Sequence, residues 1–198
     1  MITLAGNLLC SIDVETTGLD ESIHEIWEIS IIPVNFNLEV DKTRPIFDLI
    51  MCPEDLDSDK LKLSKVNREY IEEHGVDHET GCDLFLKWFK KLGLKEQRRI
   101  VPLAHNWKFD SKFIQKWLGR DTYDLLIDGR HRDTLSLAIG INDAHELAGL
   151  GIPFPKLNLT FLCHILNIPL TRAHRALEDA SATIELYRKL VRRVSERL

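Results

Sequence analysis

Asp13 and Glu15 stand two positions apart at the end of an apolar run, within Cys10-Ser11-Ile12-Asp13-Val14-Glu15-Thr16-Thr17-Gly18-Leu19. A third acid, Asp110, closes the stretch Leu103-Ala104-His105-Asn106-Trp107-Lys108-Phe109-Asp110. A fourth, Asp179, closes His174-Arg175-Ala176-Leu177-Glu178-Asp179, five positions after a histidine. On a strand, Asp13 and Glu15 share one face and Val14 takes the other. Adjacent carboxylates repel unless a cation lies between them, and Thr16 to Leu19 supply no basic side chain. Four acids from distant segments suit hard divalent cations, which take oxygen ligands and support phosphoryl-transfer chemistry. A neutral histidine beside them can take the proton of an attacking water. Plainer readings exist for each group taken alone. Asp13 and Glu15 could be a solvated pair at a strand end, Asp110 an acid complementing a helix dipole, and His174 a structural histidine. His24, His74, His78, His131, His145 and His164 show no zinc-type spacing.

In this order the three segments resemble the motifs of the DEDDh, or DnaQ-like, 3'→5' exonucleases of the ribonuclease H-like superfamily. The resemblance runs from Leu8 to about Leu190. Residues 13–19 are similar to the first motif without departure, Asn106 through Asp110 to the second, and His174 through Asp179 to the third in its histidine form. The resemblance implies a metal-dependent enzyme that hydrolyses terminal phosphodiester bonds of DNA or RNA and releases nucleoside 5'-monophosphates. Two Mg²⁺, with Mn²⁺ as substitute, would be held by Asp13, Glu15, Asp110 and Asp179, with His174 as general base. Thr16, Thr17, Gly18, Leu19 and Asn106 would meet the substrate. Two other readings stay open at this point: a non-catalytic nucleic-acid-binding or polymerase-associated module, and a hydrolase of small phosphoesters.

A chain of 198 residues, 44% hydrophobic and 29% charged, can bury a substantial core, and one domain over residues 1–198 is expected. The formal net charge of −5 disfavours tight, charge-driven binding of long duplex. Bound cations would offset the clustered acids. The expected partner is therefore nucleic acid with a free 3' end, single-stranded or short; a polymerase partner or a homodimer is compatible with the sequence. Lys87, Lys90, Lys91, Lys95, Arg98 and Arg99 form one basic cluster, and Arg188, Lys189, Arg192, Arg193 and Arg197 another. Solvated helix faces are the plainer expectation for both. Cys10, Cys52, Cys82 and Cys163 are scattered, which predicts free thiols in a reducing, cytoplasmic setting. No stretch approaches the roughly 20 apolar residues of a membrane span.

The elements that must position these residues follow from local patterns. Leu8–Val14 reads as a central strand that delivers ligands at its end. Glu25–Val34 and Arg44–Cys52 complete an antiparallel meander, with a turn at Asp41-Lys42. Glu54–Lys60 reads as an acidic loop, while Ser64–His74 and Cys82–Leu92 have apolar residues at helical spacing. Arg99–Ala104 is a buried-strand candidate, followed by a helix from about Phe109 to Leu118. Leu125–Asp133 reads as irregular or as a short strand ending at Asp133. A helix begins over Thr134–Ile139, capped by Asp133 or Thr134. Gly149–Pro155 is a loop and Leu159–Leu166 a helix, and Ala173–Val194 reads as a long final helix. His174 is expected before or at its start, on a segment led by Thr171-Arg172-Ala173. Glu178 should face solvent, and Trp107 should enter the core. The whole is an α/β fold: a ribonuclease H-like mixed sheet, antiparallel meander plus parallel strands, flanked by helices.

Overall fold

The computed structural model describes residues 6–54, 68–170 and 174–195. Its sheet holds β1 (Leu8–Thr16), β2 (Ile26–Pro33), β3 (Phe47–Ile50), β4 (Ile100–Ala104) and β5 (Arg132–Asp133) in the order β3-β2-β1-β4-β5. The β1–β2 and β2–β3 pairs are antiparallel, and the β1–β4 and β4–β5 pairs parallel. The expected mixed sheet is thus present, and β1 lies at its centre. Helices α1 (Arg68–His74), α2 (His78–Lys91), α3 (Trp107–Leu118), α4 (Arg120–Leu126), α5 (Thr134–Leu147), α6 (Leu159–Ile165) and α7 (Ala176–Ser195) complete the described elements.

Alternation along β1 divides the core. Cys10, Ile12 and Val14 pack with Phe85 and Trp88 of α2 and with Trp107, Phe113 and Ile114 of α3. Leu9 faces the other way, joining Ile32, Val101 and Leu103 beneath Ala180, Ile184 and Tyr187 of α7. Ser11 follows Leu9 on that face, and its hydroxyl donates to the Ala180 carbonyl at 2.7 Å. Asp13 and Glu15 continue the same row, so the end of β1 delivers them beside the start of α7.

Several boundaries differ from expectation for local reasons. Helix α2 begins at His78 rather than Cys82, because Asp77 caps it, accepting the Thr80 N–H at 2.8 Å. Strand β3 covers only Phe47–Ile50; Arg44 instead closes the turn at Asp41, its N–H 3.2 Å from the Asp41 carbonyl. Helix α4 was not expected, since its seven residues carry too few apolar positions to show a period. Helix α5 extends to Leu147, and Trp107 is in the core as expected.

The first basic cluster is exposed, as a solvated face requires. In the second, Arg192 is exposed as expected, but three members are docked rather than solvated. Arg188 pairs with Glu39 at 3.0 Å and with Glu185, Lys189 donates to the Leu166 carbonyl at 2.7 Å, and Arg193 lies over the Phe154 ring at 5.4 Å. These side chains dock α7 onto its neighbours, because long basic stems pack while their heads find acceptors. Arg197, Thr171–Ala173, the 55–60 part of the acidic loop and the 64–67 start of the expected helix lie outside the described residues. No described helix is long and apolar enough to cross a membrane.

Candidate active site

Asp110 lies one turn into α3, 4% exposed, and its Oδ1 accepts the Val14 N–H at 3.2 Å. Val14 is the residue between Asp13 and Glu15, so this bond fixes the third acid against the first two. Helix α3 can start there because Asn106 adopts a left-handed φ of 70°, which asparagine tolerates better than most residues. Asp133 then secures the turn. Its carboxylate accepts the N–H groups of Asn106 (3.2 Å) and Trp107 (3.0 Å), and it caps α5 through Leu135 (2.8 Å) and Ser136 (3.3 Å). One side chain thus anchors the first turns of two helices. His105 packs beneath this turn, with Nδ1 2.9 Å from the Thr134 hydroxyl and burial lowering its pKa.

Asp179 sits in the first turn of α7 at 9% exposure. Its Oδ2 accepts the His174 N–H at 3.3 Å, while Oδ1 is buried with no hydrogen-bond partner among the described residues. His174 precedes the helix, as expected, and carries a φ of 70°. The sequence offset of five is bridged by this backbone turn, which returns the imidazole to the acids. Ligand atoms of Glu15, His174 and Asp179 all lie within 4.8 Å of one another. Glu178, expected in solvent, is half-buried beside the cavity of 370 Å³ that Ile168, Leu170 and Ala182 also line.

The electrostatics of the acids are those of a group awaiting a cation. Burial raises the pKa of Asp13 well above its ordinary value, and Asp110, Asp179, Glu15 and Glu28 push it further. Asp110 rises to about 8, again through burial first, with Glu15 and Asp133 adding. Asp179 rises to about 6 through burial, eased by the His174 N–H and ring. Carboxylates in that state are uncharged or mutually repelled unless positive charge is supplied. The orphaned Asp179 oxygen and the oxygen-rich donor set fit a divalent cation such as Mg²⁺ or Mn²⁺.

The turn after β1 is built from the inside. Thr16 and Thr17 are buried; Thr16 Oγ1 donates to the Gly18 carbonyl at 2.6 Å, and Thr17 Oγ1 accepts the Glu25 N–H at 3.1 Å. Gly18 has no room for a side chain, since an added Cβ would meet the His24 ring at 2.1 Å. What the turn presents outward is Leu19, 67% exposed. Asn106 is exposed at the start of α3.

Sequence reasoning overlooked three residues that shape this site: His24, Glu28, and Asp133 in its hold on Asn106 and Trp107. Glu28 left a signal, being an acid alone inside the apolar run Ile26–Val34. It is 1% exposed, and Arg175 reaches it with Nε at 3.0 and 3.1 Å from its two oxygens.

The RNase T exonuclease family model matches residues 10–187. The PolC-type DNA polymerase III of Thermotoga maritima is 27% identical over 180 residues, which is 91% of this chain and 12% of the relative. That of Caldanaerobacter subterraneus is 28% identical over 188 residues, again covering 12% of the relative. The chain therefore spans about one eighth of the length of these curated relatives. Among solved structures, E. coli exonuclease I in complex with a dT13 oligonucleotide is similar, with a TM-score of 0.74 and 16% identity over 96% of this chain and 43% of that one. Cell-death related nuclease 4 gives a TM-score of 0.68 and 14% identity over 94% of this chain and 64% of that one. At such identities these structures speak for the fold.

Proposed function

The chain belongs to the RNase T exonuclease family, and on that premise we propose that it is a metal-dependent 3'→5' exonuclease releasing nucleoside 5'-monophosphates from single-stranded or short nucleic-acid ends. The observation that carries the reading is the convergence of Glu15, His174 and Asp179 ligand atoms within 4.8 Å, beside buried Asp110 and half-buried Asp13. Asp13, Glu15, Asp110 and Asp179 would hold two divalent cations, Mg²⁺ or Mn²⁺, which when bound activate water and neutralise charge on the phosphodiester. His174, exposed at the rim, takes the proton of the attacking water as general base. Val14 N–H keeps Asp110 in register with the first two acids, and the buried Thr16, Thr17 and Gly18 hold the turn that offers Leu19 to the terminal nucleotide. Asn106 lies on the same side, at the mouth of α3. Exonuclease I of E. coli binds an oligonucleotide, which supports a nucleic-acid strand as the substrate here. The PolC-type DNA polymerase III relatives support association with a DNA polymerase.

The test is a panel of 3'-end-labelled single-stranded DNA, duplex DNA and single-stranded RNA, each with a free or 3'-phosphorylated end, in Mg²⁺ and in excess chelator. Release of labelled mononucleotides from free 3' ends, sharply slowed by the 3'-phosphate and abolished by chelator, is expected. Nicking of closed circular DNA, or full activity in chelator, would refute the reading.

A further inference from the structure

Glu28 lies directly across from Glu15 in the β1–β2 register, on the face that α7 covers. A fifth carboxylate there would compete for the cations. It is instead fully engaged. Arg175 straddles it, with Nε 3.0 and 3.1 Å from its two oxygens and Nη2 at 2.9 Å. Glu28 Oε2 also accepts the N–H of Ala176, the first residue of α7, at 3.1 Å, where a helix N-terminus favours negative charge. The Arg175 guanidinium also lies over the Tyr70 ring, 6.0 Å from its centroid.

These contacts seize the two residues that follow His174. On its own backbone, His174 is tied to Asp179 Oδ2 at 3.3 Å. Between the two anchors it adopts a φ of 70°, a conformation that a non-glycine residue keeps only where its surroundings over-determine it. We infer that Glu28 and Arg175 are positioning residues: their buried ion pair holds the turn that aims the His174 imidazole at Glu15 and Asp179, and removes Glu28 from the cation-binding set. This rests on His174 being the base. The fork matters as well as the charge, because guanidinium binds both carboxylate oxygens at fixed geometry and an ammonium does not.

The experiment compares Glu28→Gln and Arg175→Lys, each in the wild-type and His174→Ala backgrounds. Either variant should lower kcat by about 10- to 100-fold, the usual effect of removing a group that orients a site ligand. KM and Mn²⁺ affinity should stay within about 2-fold. In the His174→Ala background the further loss should vanish, since a residue acting through His174 has nothing left to act on. A second measurement needs no turnover: bound Mn²⁺ should broaden the His174 ring protons in the wild-type chain and leave them sharper in Arg175→Lys. Equal losses in both backgrounds, unchanged kcat, or unaltered broadening would overturn the inference. Should Glu28→Gln fail to fold, Arg175→Lys decides alone. A wild-type chain that released no mononucleotides would instead defeat the functional reading, while the broadening still reported on the turn.

Discussion

Asp110 and Asp179 sit well above the usual carboxylate range, at about 8 and about 6, because burial strips their water before any neighbouring charge contributes. An acid whose folded pKa is raised binds its proton more tightly in the folded state. Its contribution to stability is complete below the unfolded value of 3.8 and is lost as pH rises through the folded value. The cation-free protein should therefore lose melting temperature between about pH 4 and pH 8 in chelator, and added Mn²⁺ should restore it at pH 8. Asp110→Asn keeps an oxygen for the Val14 N–H and removes a charge. In chelator at pH 8 it should melt higher than the wild-type chain, by about 2–4 °C per kcal/mol of repulsion relieved, while abolishing cleavage. A lower melting temperature would contradict the charge argument. His174 is distinguished from a ligand by substitution. His174→Ala should reduce turnover about 10²- to 10⁴-fold with Mn²⁺ affinity unchanged; lost Mn²⁺ binding would make it a ligand instead.

At the scale of elements, two short connections decide whether the acids meet. Asp133 satisfies otherwise orphaned N–H groups at the starts of both α3 and α5. Asp133→Ala should cost about 2 kcal/mol, the sum of two ordinary caps, and should also lower activity by loosening the turn before Asp110. Denaturant midpoints and single-turnover rates would separate those effects, and a stable chain with full activity would rule the anchor out. The turn after β1 depends on Gly18 lying flat against the His24 ring, 2.1 Å from where a Cβ would sit. Gly18→Ala should raise KM by pushing Leu19 outward, and adding His24→Ala should recover most of it by clearing the space. If the double variant is no better than the single, the clash is not what shapes the turn.

On the scale of the whole molecule, β1 and β4 run parallel with Leu8 beside Ile100, so Arg98 and Arg99 lie at the end of the sheet opposite Asp13 and Glu15. These two members of the exposed basic cluster are thus displaced from the acids along the strand axis. Replacing Arg98 and Arg99 with alanine should leave affinity for a short oligonucleotide within about 2-fold, with no change in its salt dependence; a clear drop in a binding titration would place the strand's path over that end. The α/β class, the meander, the central β1 and the long final helix were legible in the sequence, because apolar period and turn residues act locally. The five side chains Asp13, Glu15, Asp110, His174 and Asp179 could be named from their motifs; folding brings Glu15, His174 and Asp179 within 4.8 Å of one another and ties Asp110 to Val14 between the first two acids. What local pattern could not reveal was the hold on them. Glu28 and Arg175 are 147 positions apart, and Asp133 reaches back 26 and 27 positions to Trp107 and Asn106. The docking of Arg188 on Glu39 spans 149. Such contacts exist only once the sheet has set which strands and helix ends are neighbours, so tertiary structure alone decided which polar residues anchor the acids and which merely meet solvent.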